Sequence, residues 1–429
     1  RRPVLEEIAN KYEAVSLKDY VKNYWETAVQ PPEKIFLSVL SRELAAVYGK
    51  DAAASRVAQL EKKPLVSTID HHGIWNHPFF VNSDLIYSLN FEKNEAPLVL
   101  ATESVSLNNT SSWSGSLLWH NDNAKLMRKS FFPDRIKTLP VFSAPGISNS
   151  DLARFQNATQ NRFKSLIEVL GVTSSAQNFS SQACQASSKF WQAVFPSAPK
   201  LSYFPLETLV SKYLLEIFKD EADILSKLIL TAPGRKLWQE NFSSEHTFMF
   251  WGIDSNGRRQ ALNDLPKNKQ ELFELISQRK IYPSSPLCFS VLLKAGITCA
   301  GGFNQTTWLS QIKEKLIKLF SDLDSSNLMR LSVIPTQNFA ESSLAWLEHS
   351  VQYITPTAVD LFLTGKDYYA NYVKLAEALT FGQSLELSIP AIYEVVIPKT
   401  VRSDFNQAVC QEQIFKELNI AKLLKEAGI

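Results

Sequence analysis

Three of the six histidines in the chain, His71, His72 and His77, fall within seven positions, and Asp70 stands directly before them. Neutral imidazole together with carboxylate suits Zn, Mn or Fe, so Asp70, His71 and His77 are candidate ligands of a divalent metal. Neighbours in a continuing strand point to opposite sides, so one of His71 and His72 joins Asp70 and His77 while the other does not. The same stretch can instead serve phosphate. His72 and His77 beside Gly73 and Asn76, ahead of a helix start, place imidazoles next to free backbone N–H groups and the positive end of a helix dipole. In that use His72 and His77 are the catalytic candidates, and Gly73 and Asn76 are cofactor-binding. The alternative without a ligand is a set of imidazoles satisfied within a polar loop.

The elements that must position these residues can be read around them. Leu65 to Ile69 is short, β-branched and preceded by Pro64, which predicts a buried strand breaking at Asp70. Ser83 to Phe91 has helical spacing, and Pro97 to Thr102 is a second buried strand ending in Glu103-Ser104. Strand, helix and strand make a βαβ unit with a parallel sheet and a right-handed crossover. Ligands of such sheets bind outside the carboxyl ends of the strands. The Asp70 to Gly73 turn and the Glu103 to Asn109 turn therefore face one crevice, with Glu103 as acid/base or ligand and Asn108 as a binding residue. A further strand over Leu292 to Ala300 leads into Gly301-Gly302-Phe303-Asn304-Gln305. Glycines there let backbone N–H groups approach an anion, and Asn304 and Gln305 add neutral donors. A tight turn without a ligand fits the same residues.

Elsewhere the pattern is mostly helical. Ser16 caps a helix to about Val29, Pro31-Pro32 opens another with an apolar face ended by Gly49, and a third runs from Asp51 to Lys62. Asn108 to Asn123 reads as a long loop carrying Trp113, Trp119 and His120, a lid or a surface loop. Leu139 to Phe142 is strand-like, and helices fill Asp151 to Leu170, Ser180 to Val194 and Pro205 to Lys227. The pair Asn256-Gly257 after Thr247 to Ile253 signals a hairpin leading to Arg258-Arg259, which reach a phosphate or carboxylate or form a solvated hairpin end. His246 and His349 sit in amphipathic contexts that predict structural work. Glu386 to Val396 is read as a strand, and Asp404 to Ala427 as an amphipathic helix that packs on the core or forms a subunit contact in a homo-oligomer. The expected organisation is an N-terminal helical cap over 1–63, a Rossmann-like α/β core over 64–350 with a helical insertion around 150–230, and a mainly helical region over 351–429.

Composition excludes several classes. The chain has 429 residues, 45% hydrophobic and 21% charged, enough to bury a large core. Its 45 basic and 43 acidic residues leave a formal charge of +2, so no bulk field points to nucleic acid or an anionic membrane. Four dispersed cysteines show no C-x-x-C spacing, which argues against structural zinc and for a reducing compartment. No apolar run approaches a membrane span and no signal-peptide core is read, so a cytoplasmic protein with a small-molecule substrate is expected.

Residues 246 to 315 carry a family resemblance. They run through His246 to Arg259, then Tyr282-Pro283-Ser284-Ser285-Pro286-Leu287, Leu292 to Gly302 and Trp308-Leu309-Ser310-Gln311. This order resembles the cysteine-adding enzyme of bacillithiol synthesis, a cysteine-ligase family with a hairpin bearing basic residues, a Ser-Pro turn, a Gly-Gly loop and a helix carrying an aromatic and a Gln. Asp70-His71-His72, Gly73 and Asn76-His77-Pro78 stand where that family has its Gly-Gln-Gln, Gly and Gly-Gly-Pro. The resemblance spans about residues 60 to 350. It implies a nucleotidyltransferase-like Rossmann core, named for its His-x-Gly-His motif, and ATP or ADP as the associated nucleotide. The chain departs from the family at Lys294 and Phe303, which replace prolines, and at Glu103-Ser104-Val105-Ser106, which replaces a Glu-Asp-His-Asp run. Met127-Arg128-Lys129-Ser130 is a poor echo of the superfamily's second signature. The expectation is a nucleotide-dependent ligase or nucleotidyltransferase-like enzyme with an altered, histidine-rich loop. The alternatives are a catalytically inert binding relative and, less well matched, a phosphoesterase of the Asp-His-His type, which needs aspartates on earlier strands.

Overall fold

The computed structural model describes residues 3–171, 178–242, 248–323, 328–350, 352–396 and 411–429, with backbone alone at 391–396 and 411–412. At its centre lies a four-stranded, wholly parallel sheet. Its strands are β1 (Leu65–Ser67), β2 (Leu98–Ala101), β5 (Ser202–Pro205) and β9 (Thr298–Ala300), in the order β5-β2-β1-β9. Leu65 to Ser67 pair in register with Thr298 to Ala300, Ser67 pairs with Val99, and Leu98 to Ala101 pair with Ser202 to Pro205. The α/β class and the parallel sheet expected from the two apolar runs are present.

These strands are buried on both faces, which is why they read as apolar runs. Leu65, Val99, Tyr203 and Ala300 join one hydrophobic core, while Val66, Leu98, Leu100, Phe204 and Cys299 join another. Side chains alternate across a strand, so the two cores are the two faces of the sheet. On the second face pack α1 (Lys34–Tyr48), α5 (Leu206–Ile217), α6 (Ser285–Lys294) and α7 (Gln305–Leu323), whose Leu40, Val210, Leu292 and Leu316 are fully buried. The helix α2 (Lys50–Lys62) delivers the chain into β1. On the first face lie α3 (Pro78–Ser88), the crossover between β1 and β2, and α4 (Phe179–Val194). Tyr87 of α3 donates its hydroxyl to the carbonyls of Leu65 and Leu98 at 3.1 and 3.0 Å, tying the crossover to both strands.

Besides the short hairpin of Leu347–His349 with Gln352–Ile354, two smaller sheets flank this centre. One is the hairpin β3 (Ser116–His120) with β4 (Leu126–Ser130), whose first strand lies inside the stretch read as a loop and whose second follows it. The other is β6 (Phe250–Ile253), β7 (Arg259–Leu262) and β8 (Ile281–Pro283), antiparallel, with the Asn256-Gly257 turn where expected and Gly257 at φ +77°.

Several expected elements differ. Leu292 begins no strand: α6 continues through Lys294, and only Thr298–Ala300 extends, because Pro286 opens a helix whose apolar residues are buried all round. Val141–Ser143 forms a 3₁₀ turn in place of a strand. Glu386 to Val396 belongs to a helix, Phe381–Val396, which tolerates Pro390. The helix predicted to reach Val29 is a short α-turn and a π-helical segment ending at Tyr24. His246, the first residue of the predicted 247–253 strand and residues 397–410, with the start of the predicted Asp404 to Ala427 helix, lie outside the described residues. No helix among the described residues is long and apolar enough to cross a membrane.

Candidate functional site

The turns leaving β1, β2 and β9 do converge. At the carboxyl edge of the sheet they line one cleft of 450 Å³, within the range of small-molecule sites. Thr68, Ile69 and His71 come from the first turn, Thr102 and Ser104 from the second, and Gly302, Asn304 and Gln305 from the third. Thr68 locks two of these turns together, donating to the Ala300 carbonyl at 3.2 Å and accepting from the Gln305 amide at 2.5 Å. The opposite wall is aromatic, with Phe80, Phe289, Trp251 and Trp308 among its residues.

The sequence-predicted residues divide sharply. His71 alone of the three histidines lines the cleft. Its Nδ1 lies 3.4 Å from the Ser111 hydroxyl and its ring stands edge-on to Phe80 at 5.8 Å. Burial, and then the charge of Arg259, push it down to about 4, so the imidazole is neutral at physiological pH. His72 is 1% exposed, its backbone N–H bonds the Thr102 carbonyl, and its Nε2–H donates to the Ser180 carbonyl at 2.8 Å. His77 caps α3, its Nδ1 accepting from the Phe79 N–H at 3.2 Å, and burial drives it down to about 3. These two rings are structural hydrogen-bonding groups, and neither reaches the cleft as a phosphate ligand. Strand-end geometry is the reason. After Ser67 the backbone re-joins Thr102 through an isolated bridge at His71, which turns His72 inward under α4.

Glu103 is also withdrawn. Buried to 1%, it accepts from Ser180 Oγ at 2.7 Å and from Thr208, and lies 3.5 Å from the Arg279 guanidinium. It lines a separate small cavity shared with Glu207, which burial and then the Glu103 charge push up to about 7. Glu103 therefore stands apart from both His71 and the main cleft.

The metal trio fares similarly. Asp70 is 2% exposed and faces Asp84. Burial and then the Asp84 charge raise it well above the usual carboxylate range. Asp70, His71 and His77 form no three-ligand group, and no cluster of three or more His, Cys, Asp or Glu able to hold a metal occurs among the described residues. A raised, proton-retaining carboxyl and a capping imidazole are poor donors, since a metal ligand must be deprotonated and free. The donor set does not fit a divalent ion there.

Of the remaining binding candidates, Gly302, Asn304 and Gln305 line the cleft, while Gly301 lies behind them, its N–H bonded to the Asn338 carbonyl at 2.8 Å. Asn76 holds the β3 hairpin, donating to the Ser116 carbonyl at 3.1 Å and accepting from the Leu118 N–H at 2.9 Å. Asn108 bonds the Lys137 carbonyl through its backbone, away from the cleft. Gly73 makes room for that hairpin: a Cβ there would meet the Ser114 carbonyl oxygen at 2.6 Å and its Cα at 2.8 Å. Since backbone must shift to admit it, Gly73→Ala is expected to cost about 2 kcal/mol. Urea unfolding checks this, and a midpoint equal to the parent's would show that the contact is not limiting.

Sequence reasoning undervalued Arg259 and missed Glu341. Arg259 lies across the cleft mouth, its Nη1 donating to the Ser104 carbonyl at 2.9 Å and its guanidinium 4.4 Å over the Trp251 ring. Hairpin alternation places Arg259 on the Trp251 face, and that pairing was a usable signal. Glu341 approaches Gly302, where a Cβ would meet its Oε2 at 2.5 Å, and accepts from the Phe303 N–H. No local pattern announces it. Trp113 and Trp119 stay outside the cleft wall, packed on Arg128 and Phe163, so they form no lid over it. His120 is held by Asp360 at 2.7 Å and His349 by the Asn121 carbonyl at 2.8 Å, both in structural roles. In comparison with known proteins, no family model, no curated protein and no solved structure matches this chain.

Proposed function

We propose that the chain is a nucleotide-dependent enzyme of ligase or nucleotidyltransferase-like type, acting on a small molecule in the cleft at the carboxyl edge of the parallel sheet. One observation carries this reading: three strand-end turns and the starts of α6 and α7 meet around a single aromatic-walled cleft that holds Arg259 and the neutral His71. Aromatic faces suit a flat heterocycle, and a guanidinium suits phosphate oxygens. A neutral imidazole in such a site donates or accepts one hydrogen bond without adding charge, which suits polarising a reacting group. His71 thus takes the part first assigned to His72 and His77. A reducing, cytoplasmic setting fits the described cysteines Cys184, Cys288 and Cys299, each a buried unbridged thiol.

An inert, ligand-binding reading is favoured by a specific observation: His72, His77 and Glu103 are spent on internal hydrogen bonds. Thermal-shift titration of the full chain with ATP, ADP, adenosine and divalent cations, followed by ³¹P NMR of the nucleotide, separates the two. The enzyme reading expects a saturable shift with ATP or ADP that His71→Gln weakens, together with turnover of bound ATP in the presence of the acceptor. His72→Gln lowers the melting temperature but leaves the shift intact. The inert reading expects the shift without turnover. No shift with any nucleotide would end the nucleotide assignment.

A further inference from the structure

We infer that the start of α6, with the Ser284 hydroxyl and Arg259, is the phosphate-binding end of the cleft, and that the start of α7 is closed to anions. The inference deepens the reading of a nucleotide site in this cleft and rests on it.

Three helices begin on the cleft wall, and they are not equivalent; α3 is already capped, its Phe79 N–H donating to His77 Nδ1 at 3.2 Å. An N-terminus presents N–H groups that the helix itself cannot satisfy, together with the positive end of its dipole. At α7 the chain supplies its own anion: the Glu341 carboxylate accepts from the Phe303 N–H in the space left by the missing side chain of Gly302. A ligand phosphate there would meet a carboxylate. At α6 no side chain among the described residues does this. Its N-cap, Ser284, makes no side-chain capping bond. A capping serine ordinarily turns its oxygen onto the second or third N–H of its helix. Here the Ser284 oxygen is buried on the cleft wall, in a residue 1% exposed, and has no hydrogen-bond partner among the described residues. A buried hydroxyl without a partner is costly, and retention of one at a cleft wall is accounted for by a ligand that completes it.

The donors around this hydroxyl form a set. The first intrahelical bond of α6 runs from the Cys288 N–H to the Ser284 carbonyl at 2.9 Å, and Pro286 has no N–H. The N–H groups of Ser285 and Leu287 therefore precede the ladder. Of these Ser285 lies on the cleft wall, so its N–H joins the Ser284 hydroxyl as a second donor to a phosphate, while Leu287 is fully buried. Arg259 supplies the charge. Among the described residues its one hydrogen bond runs from Nη1 to the Ser104 carbonyl, and its guanidinium lies 4.4 Å over the Trp251 ring. A nucleotide would then lie with its phosphates toward α6 and its hydroxyl or amino groups toward Glu341.

The test is isothermal titration of the full chain with inorganic pyrophosphate, adenosine and ATP, on the parent, Ser284→Ala and Arg259→Met. The expected result is saturable pyrophosphate binding, weakened about tenfold by Ser284→Ala and about tenfold or more by Arg259→Met. Adenosine binding should be unchanged in both variants. Melting temperature supplies the second readout. A serine that merely capped α6 would lower it on removal, whereas an unpartnered hydroxyl leaves it unchanged or raises it. Pyrophosphate or ATP binding equal to the parent's in both variants overturns the phosphate end while leaving a nucleotide cleft in place. Pyrophosphate binding that falls in the variants, with ATP no tighter than pyrophosphate, supports the phosphate end and removes the nucleotide reading. Absence of binding by all three probes to the parent overturns both.

Discussion

Replacing Lys294 with methionine is expected to destabilise the protein by about 3 kcal/mol, because it strands carboxylates that the fold has taken largely out of water. The ammonium group is 4% exposed and lies 3.0 Å from Glu33 and 2.6 Å from Asp223, themselves only 19% and 12% exposed. It also donates to the Tyr213 hydroxyl at 2.8 Å. Each partner belongs to a different element on the second face of the sheet. Glu33 precedes α1, Tyr213 lies in α5, and Asp223 caps the helix Ile224–Leu230 by accepting from the Leu225 N–H. One cation thus ties three elements to the end of α6, the helix whose start lines the cleft. Denaturant unfolding at neutral pH measures the loss. The triple variant Lys294→Met, Glu33→Gln, Asp223→Asn, which removes the stranded charges too, should recover much of it. A methionine variant within about 0.5 kcal/mol of the parent would mean that water already serves these carboxylates.

Asp84→Asn should stabilise the protein at pH 8 by about 2 to 4 kcal/mol, yet leave it no more stable than the parent at pH 4. Burial, against the lowering effect of hydrogen bonds that include one from the Tyr203 hydroxyl at 2.6 Å, holds Asp84 up at about 7. Asp70 beside it is also raised, by burial and by the Asp84 charge. In the unfolded chain both ionise near their ordinary value of 3.8. Between that value and about 7 the folded chain therefore holds protons that the unfolded chain has released. Stability from the pair is full at low pH and is lost as pH rises through about 7. Asparagine stays neutral throughout and still accepts from Tyr203, so the advantage of the variant grows with pH across this window. His71 and His77 act in the opposite sense. Their imidazoles are depressed to about 4 and about 3, so the unfolded chain binds more protons below the ordinary value of 6.5, and their contribution rises with pH up to there. The parent's own pH profile mixes these slopes, and the difference between variant and parent isolates the carboxyl pair. A difference that does not change between pH 4 and 8 would show that the two carboxylates ionise normally within the fold.

The cleft was legible to the extent that backbone topology sets it. Leu65 to Ile69 and Pro97 to Thr102 announced buried parallel strands because both faces of this sheet are apolar, and Gly301-Gly302 marked the third turn because the chain passes Glu341 too closely there for a side chain. From these, the meeting of three turns at one edge follows from the rule for parallel sheets. Residue roles were less legible. Once a strand leaves its ladder, the direction of each side chain depends on what the loop packs against, and a single bridge at His71 sent His72 to Ser180 instead of the cleft.

What the sequence by itself determined about this protein is therefore the pair of strands β1 and β2, their parallel direction and the edge at which their turns open, since these rest on apolar periodicity and on turn residues close together in the chain, whereas β5 was not read from it. Tertiary structure alone decided which polar groups face that edge. It set Glu103 against Thr208 and Arg279, left the hydroxyl of Ser284 without a partner among the described residues, and brought Glu341 to a glycine 39 positions earlier. The physical reason is that the hydrogen-bond partners of a buried polar group come from wherever the chain next passes. Local sequence carries no record of that distance.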